Sequence, residues 1–224
     1  MINQIITDLS RKSPCQFELV VQAAEQFSFY RAASINYQRF LVVVRVSKLM
    51  KPSELNQWVS VSTPNELREE PAFAKNTDVV VLFELDCLAE IVNYENEVFA
   101  LEEDSYSFKK HVLYFSQAEV ALLADMDSNN IADLIKNKNK FEQYKESPLS
   151  ESEYGLASRI FIKLPFLLVP VDESELDDPC GFADTYLESV NLLALNNEFE
   201  SKVGNGDIDY DSLIKEYISG KMAN

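Results

Sequence analysis

The pattern of apolar and polar positions changes character near residue 104. Before it, short runs read as strands. "QFELVV" (16–21) alternates, with Phe17, Leu19 and Val21 on one face. "FLVVVRVS" (40–47) is β-branched and aromatic, and "VVVLFEL" (79–85) is nearly continuous, as a central strand buried on both faces requires. "LAEIVNY" (88–94) and "EVFALEE" (97–103) predict a hairpin turning at Glu95-Asn96. Between Lys51 and Thr77 stand Pro52, Pro64 and Pro71, which predict connections around one short helix opening at Ser53 or Thr63.

After residue 104 the spacing becomes helical. Ser105 predicts a cap for a short helix through "YSFKKHV". Ser116 with Glu119 forms a capping-box signal before "QAEVALLADM". Asn130 predicts the cap of "IADLIKNKNKFEQYKE", where Ile131, Leu134, Ile135, Lys138 and Phe141 share a face. Ser150 with Glu153 repeats the box before "YGLASRIFIKL", which Pro165 should end. "FADTYLESVNLLALNNEFESKV" is one more amphipathic stretch, closed by Gly204 and Gly206, and "YDSLIKEYISG" predicts a last short helix. Strands that follow one another and then helices define an α+β chain. The expectation is an N-terminal antiparallel or mixed sheet, a C-terminal helical half, and helices on one sheet face. The core domain is drawn at residues 1–171, and the acidic loop and C-terminal helices at 172–224.

Composition narrows the function classes. The 224 residues are 46% hydrophobic, which suits a packed core and not a disordered chain. The apolar run "IFIKLPFLLVPV" is interrupted by Lys163 and two prolines, so no membrane span is expected. "MINQIITDLSRK" lacks the basic start and apolar stretch of a signal peptide. Cys15, Cys87 and Cys180 are odd in number and far apart, which argues against a disulfide framework or a zinc site and for a reducing cytoplasm. The net charge of −17 disfavours broad binding to nucleic acid. It is unevenly spread. Residues 1–51 hold seven Lys/Arg against three Asp/Glu, whereas residues 172–200 hold nine acids and no Lys or Arg. Solvated surface charge is the simpler account of that tail; separate partners for the two ends is the other.

Catalytic signals are weak. His111, the one histidine, has Asp104 or Glu103 as an orienting acid and Cys87 or Cys180 as a conceivable nucleophile, but a helix-end histidine packed among aromatics explains it more simply. "GDIDYDS" (206–212) begins like a calcium loop and then places Ser212 and Ile218 where glycine and glutamate are required. "DMD" (125–127) and "DESELDD" (172–178) are acidic without neighbouring His or Cys. None of the five glycines forms a phosphate loop, and no serine elbow is present. No cofactor and no metal are expected. "FSFYRAASINYQRF" (27–40) interleaves aromatics with Arg31 and Arg39, the composition both of a nucleic-acid platform and of an interface hot spot; the acidic total favours core and protein interface.

An apolar strand "VVVLFELD", a hairpin ending "ALEED", then "SYSFKKHVLYFSQAEVALLADM" and a helix ending "SRIFIKLPFLLV" together resemble the middle components of ABC three-component defence systems, nearest to the small Lamassu-type subunit. The resemblance covers about residues 78–170. It runs through an acid, a small residue, an aromatic pair, two basic residues and an apolar ending: Asp104, Ser105, Tyr106, Phe108, Lys109, Lys110, Val112 and Leu113. Ser105 stands where the family often has proline. The resemblance implies a non-catalytic adaptor between an SMC-like ABC ATPase that senses abnormal DNA and an effector nuclease, with DNA met only through the complex and no membrane. Tyr106, Phe108, Lys109 and Lys110 are then the expected contact patch, with Arg31 and Arg39 as further interface candidates. The alternative is an acidic binding or immunity-type inhibitor protein that caps a basic partner.

Overall fold

A computed structural model describes residues 1–23, 26–34, 38–170, 179–203, 215 and 219. The chain divides into two units, Met1–Val171 and Asp172–Asn224. The first is built on a five-stranded mixed sheet of β1 (Phe17–Ala23), β2 (Phe27–Ala32), β3 (Phe40–Val46), β4 (Thr77–Leu85) and β5 (Lys109–Ser116), in sequence order across the sheet. β1–β2 and β2–β3 are antiparallel, whereas β3–β4 and β4–β5 are parallel. A parallel pair needs a crossover. α2 (Pro52–Ser62) and α3 (Asn65–Arg68) make the first; a 3₁₀ turn (Leu88–Asn93) and α4 (Glu95–Glu102) make the second.

Period-two alternation sorts the strand residues onto two faces. Leu41, Val43, Val80, Leu82, Leu113 and Phe115 lie on one, with α1 (Ile2–Lys12), α5 (Gln117–Leu122), α6 (Ser128–Ile135) and α8 (Glu153–Lys163). Val42, Val44, Val79, Val81, Phe83 and Val112 lie on the other, beneath both crossovers. Helices therefore cover both faces, not the one expected. The sheet is a middle layer, which explains why β3 and β4 read as unbroken apolar runs.

Several local expectations are corrected. Residues 88–103 form no hairpin: Leu88 and Ile91, then Val98 and Leu101, are buried at spacings of three, and Glu95 and Glu97 lie in the first turn of α4, where acids favour a helix. Residues 109–116 form β5 and not a helix capped by Ser105, because Lys110, Val112 and the alternating partners His111, Leu113 and Phe115 follow a strand period. In β1 an irregularity between Leu19 and Val21 breaks the expected common face and leaves Leu19 exposed. The helix near residue 52 opens at Pro52, the favoured first helical position, and Thr63 ends it.

The Ser116–Glu119 capping box is present as expected. Residues 131–146 divide into α6, capped by Asp127, and α7 (Lys138–Glu146), capped by Asn137, in place of one helix capped by Asn130. Ser152, not Ser150, caps α8 by accepting a hydrogen bond from Gly155 N–H at 3.0 Å.

In the second unit, the predicted single stretch is two helices, α9 (Pro179–Ser189) and α10 (Leu193–Val203). Asn191, with φ 55°, takes the left-handed conformation between them. The "DESELDD" and "GDIDYDS" segments lie outside the described residues, as does most of the predicted last helix. Among the described residues no helix is long and apolar enough to cross a membrane.

β5 is an edge strand, and exposed edges invite unwanted pairing. Its Val112 N–H donates to Glu102 Oε1 at 2.8 Å, and the Glu102 carboxylate also accepts from Lys163 Nζ at 2.6 and 2.7 Å. A carboxylate from α4 and an ammonium from α8 thus close over the edge.

Candidate functional site

The expected contact patch lies on the loop from α4 into β5, and the structure divides it. Tyr106 is 78% exposed and Lys109 is exposed, whereas Phe108 and Lys110 are buried. Phe108 packs edge-on against Phe73, with ring centroids 5.9 Å apart. Lys110 points inward because it shares the face of Val112 in β5. Its ammonium donates to Tyr106 O and Phe108 O, both at 2.8 Å, and pairs with Asp104 Oδ2 at 2.7 Å. Asn56 of α2 donates to the same Asp104 oxygen at 3.1 Å. Lys110 therefore holds the loop backbone at two carbonyls two residues apart, and the loop tip carries Tyr106. Ser107, beside it, has φ 64°. A non-glycine residue rarely adopts this backbone, and here the Lys110 contacts on both sides hold it there.

The hydrogen bond from Lys110 holds the Asp104 carboxyl below its ordinary range; burial opposes this, and Asn56 adds to the lowering. The loop is thus braced by a charge-assisted network. Asn56 carries no motif and escapes sequence reading. Lys110 was within reach of a period-two reading of "KKHVLYFS".

Arg31 and Arg39 occupy a different place. Arg31 Nη2 pairs with Glu70 Oε1 at 2.9 Å in a half-exposed bridge. Arg39 Nη2 donates to Asp78 Oδ2 at 2.6 Å. The aromatics around them are largely core, for Phe27, Phe29, Tyr30 and Phe40 are all buried. The stretch is therefore no exposed stacking platform along its described length; Tyr37 lies outside the described residues.

Asp78, the second residue of β4, is the charged group that sequence reading missed; its signal is one acid at the start of an otherwise apolar strand. His111 Nε2 lies 3.5 Å from Asp78 Oδ1, so the histidine's neighbour is Asp78 and not Asp104 or Glu103. Neither atom has another partner, and at this distance the contact is electrostatic more than a formed hydrogen bond. Burial would raise the Asp78 carboxyl, but His111 and the Arg39 guanidinium outweigh it and hold it below the ordinary range. Cys15 is buried, and burial pushes its thiol up against the opposing effect of Arg39, which keeps it from the thiolate form a nucleophile needs. Cys87 is exposed.

A second buried charge pair joins Glu119 of α5 to Arg159 of α8, with the Arg159 guanidinium 4.9 Å over the Tyr114 ring. Burial pushes the Glu119 carboxyl up, more than Arg159 pulls it down. Asp127 of the "DMD" stretch accepts from Asn129 and Asn130 N–H as the cap of α6. Among the described residues no group of three or more His, Cys, Asp and Glu side chains is placed to hold a metal ion.

Together these features define a three-layer mixed-sheet domain with a braced, aromatic-tipped loop beside an edge strand. Residues 38–141, from the approach to β3 into α7, match the model of the ABC-three component (ABC-3C) system Middle Component 1 family. This segment belongs to that family, the middle component of a three-component system. The match begins earlier than the resemblance read from the sequence and ends before α8. No curated protein and no solved structure matches the chain significantly.

Proposed function

We propose that the chain is a non-catalytic adaptor of the Lamassu type in a bacterial defence complex against phage or plasmids. It joins an SMC-like ATPase that senses foreign DNA to an effector nuclease in the cytoplasm and restrains that effector. The place of residues 38–141 in a middle-component family supports a role among other subunits. One structural observation carries the contact surface: Tyr106 is largely exposed on a loop whose carbonyls are held by a buried ammonium. Exposed tyrosines on ordered backbone are favoured as interface anchors, because little conformational freedom remains to be lost on binding.

In this reading Tyr106 and Lys109 touch the partner, while Phe108 and Lys110 position them. The adaptor transmits a change in the ATPase only by binding its two states with different affinity. The test is co-expression of the tagged chain with the candidate ATPase and nuclease subunits of its system. The wild-type chain should retain both, and Tyr106→Ala with Lys109→Glu should lose one of them while its circular dichroism and unfolding midpoint stay unchanged. A folded double variant that retains both subunits at wild-type affinity removes the contact assignment. Turnover of a substrate by the isolated chain removes the adaptor reading itself.

A further inference from the structure

We propose that the cleft formed by the end of β2, the start of β3 and residues 70–76 binds a phosphate monoester attached to an organic group. The cavity has a volume of about 600 Å³, within the range of small-ligand sites. Arg31, Arg39 and Lys75 line it, with Glu70 as the one acid in the lining. Such a concentration of cations stands out on a chain of net charge −17.

The two arginines are oriented but not exhausted. Arg31 is held through one nitrogen by Glu70 and Arg39 through one nitrogen by Asp78, and a guanidinium has five donors. Arg31 Nε is buried and has no hydrogen-bond partner. Lys75 is exposed, and no partner for its ammonium is among the described contacts. Asn76 Nδ2 donates to Gln38 O at 2.9 Å and ties the two walls together.

Arg31 is ion-paired with Glu70 and Arg39 with Asp78, so Lys75 leaves an excess of about one positive charge, to which the unused guanidinium N–H groups add directed donors. A phosphate monoester carries a charge of about −1.5 to −2 near neutral pH and three strong acceptor oxygens, which suit an ammonium beside two guanidinium forks better than the two free oxygens of a carboxylate or a phosphodiester do. The cavity exceeds a phosphate alone, and Ala32 and Pro71 give it an apolar wall for the attached group. A free nucleotide and the 5′-phosphate end of a DNA strand present the same chemistry.

The full chain is titrated by calorimetry at low salt with adenosine 5′-monophosphate and with a 5′-phosphorylated single-stranded DNA oligonucleotide. Each is compared with its dephosphorylated counterpart. The phosphorylated form of at least one pair should bind about tenfold tighter or more, as charge-assisted bonds to one extra charged group imply. The pair that shows the preference identifies the source. Lys75→Gln, at an exposed position, and the paired Arg31→Gln/Glu70→Gln variant should each weaken that binding about three- to tenfold with the fold intact. The proposal is overturned if neither probe binds at millimolar concentration, if phosphorylation makes no difference, or if Lys75→Gln leaves affinity unchanged. This measurement needs no partner subunit and leaves Tyr106 untouched, so it stands or falls apart from the adaptor reading.

Discussion

Replacing Lys110 with methionine removes a buried ammonium while keeping most of the side-chain volume. The Lys110 side chain is 0% exposed, and it supplies the ion pair to Asp104 at 2.7 Å and hydrogen bonds to two carbonyls at 2.8 Å. Each bond to a charged group contributes about 1.5–3 kcal/mol, so the gross loss exceeds 4 kcal/mol by that rough scale. Two effects reduce it. Methionine does not carry the desolvation cost of a buried ammonium, and Asp104, with 13% of its side chain exposed, keeps Asn56 as a partner. The net destabilisation should be about 3 kcal/mol, in line with breaking one side of a buried pair. For a domain of this size that lowers Tm by about 6–12 °C. Urea unfolding of wild type, Lys110→Met and Lys109→Met gives the values directly. Lys109 is exposed, so its variant should lie within about 0.5 kcal/mol of wild type. Chymotrypsin should also cut after Tyr106 faster in Lys110→Met, because the loop carbonyls lose their anchor. A Lys110→Met loss under about 1 kcal/mol, or an equal loss for Lys109→Met, refutes the bracing role.

Three further outcomes follow from the same geometry. The carboxyls of Asp104 and Asp78 lie below their ordinary range in the folded chain, so the stability they contribute is complete above about pH 4 and is lost as pH falls through their folded values. Urea midpoints measured from pH 7 down to pH 3 should decline, and Asp104→Asn, although less stable at pH 7, should decline less steeply. Glu102→Ala strips the partner from Val112 N–H and from Lys163. It should cost about 1–3 kcal/mol by urea unfolding and make sedimentation concentration-dependent as the β5 edge opens. Ser107→Gly relieves a left-handed backbone at φ 64° and should raise stability by up to about 1 kcal/mol, read from the same unfolding curves.

Much of the sheet was legible because burial on both faces leaves a local mark. β3 and β4 are runs of Val, Leu and Phe that a chain keeps only in the middle of a layered domain. The Ser116 box was equally local, since both of its hydrogen bonds span three residues. The 3₁₀ turn and α4 were misread because Leu88, Ile91, Val98 and Leu101 are few enough to suit either period. α1 carries a local mark as well, since Ile2, Ile5, Ile6 and Leu9 share one helical face, but no side-chain cap announces its start.

The site was less legible than the fold. Lys109 and Lys110 are chemically alike, and only strand parity, with the loop folding back over one of them, makes one exposed and the other an internal brace. Asp78 of β4 meets His111 of β5 and Arg39, which immediately precedes β3, a contact that no short stretch of sequence contains.

The central claim is that a braced loop presents Tyr106 to another subunit of the system. Its most direct test is the affinity of Tyr106→Ala, compared with wild type, for the ATPase and nuclease subunits proposed as its partners, measured by biolayer interferometry. The account predicts a loss of about 2 kcal/mol, or roughly thirtyfold, for one partner with an unchanged unfolding midpoint. Wild-type affinity for both partners from a folded Tyr106→Ala chain contradicts it.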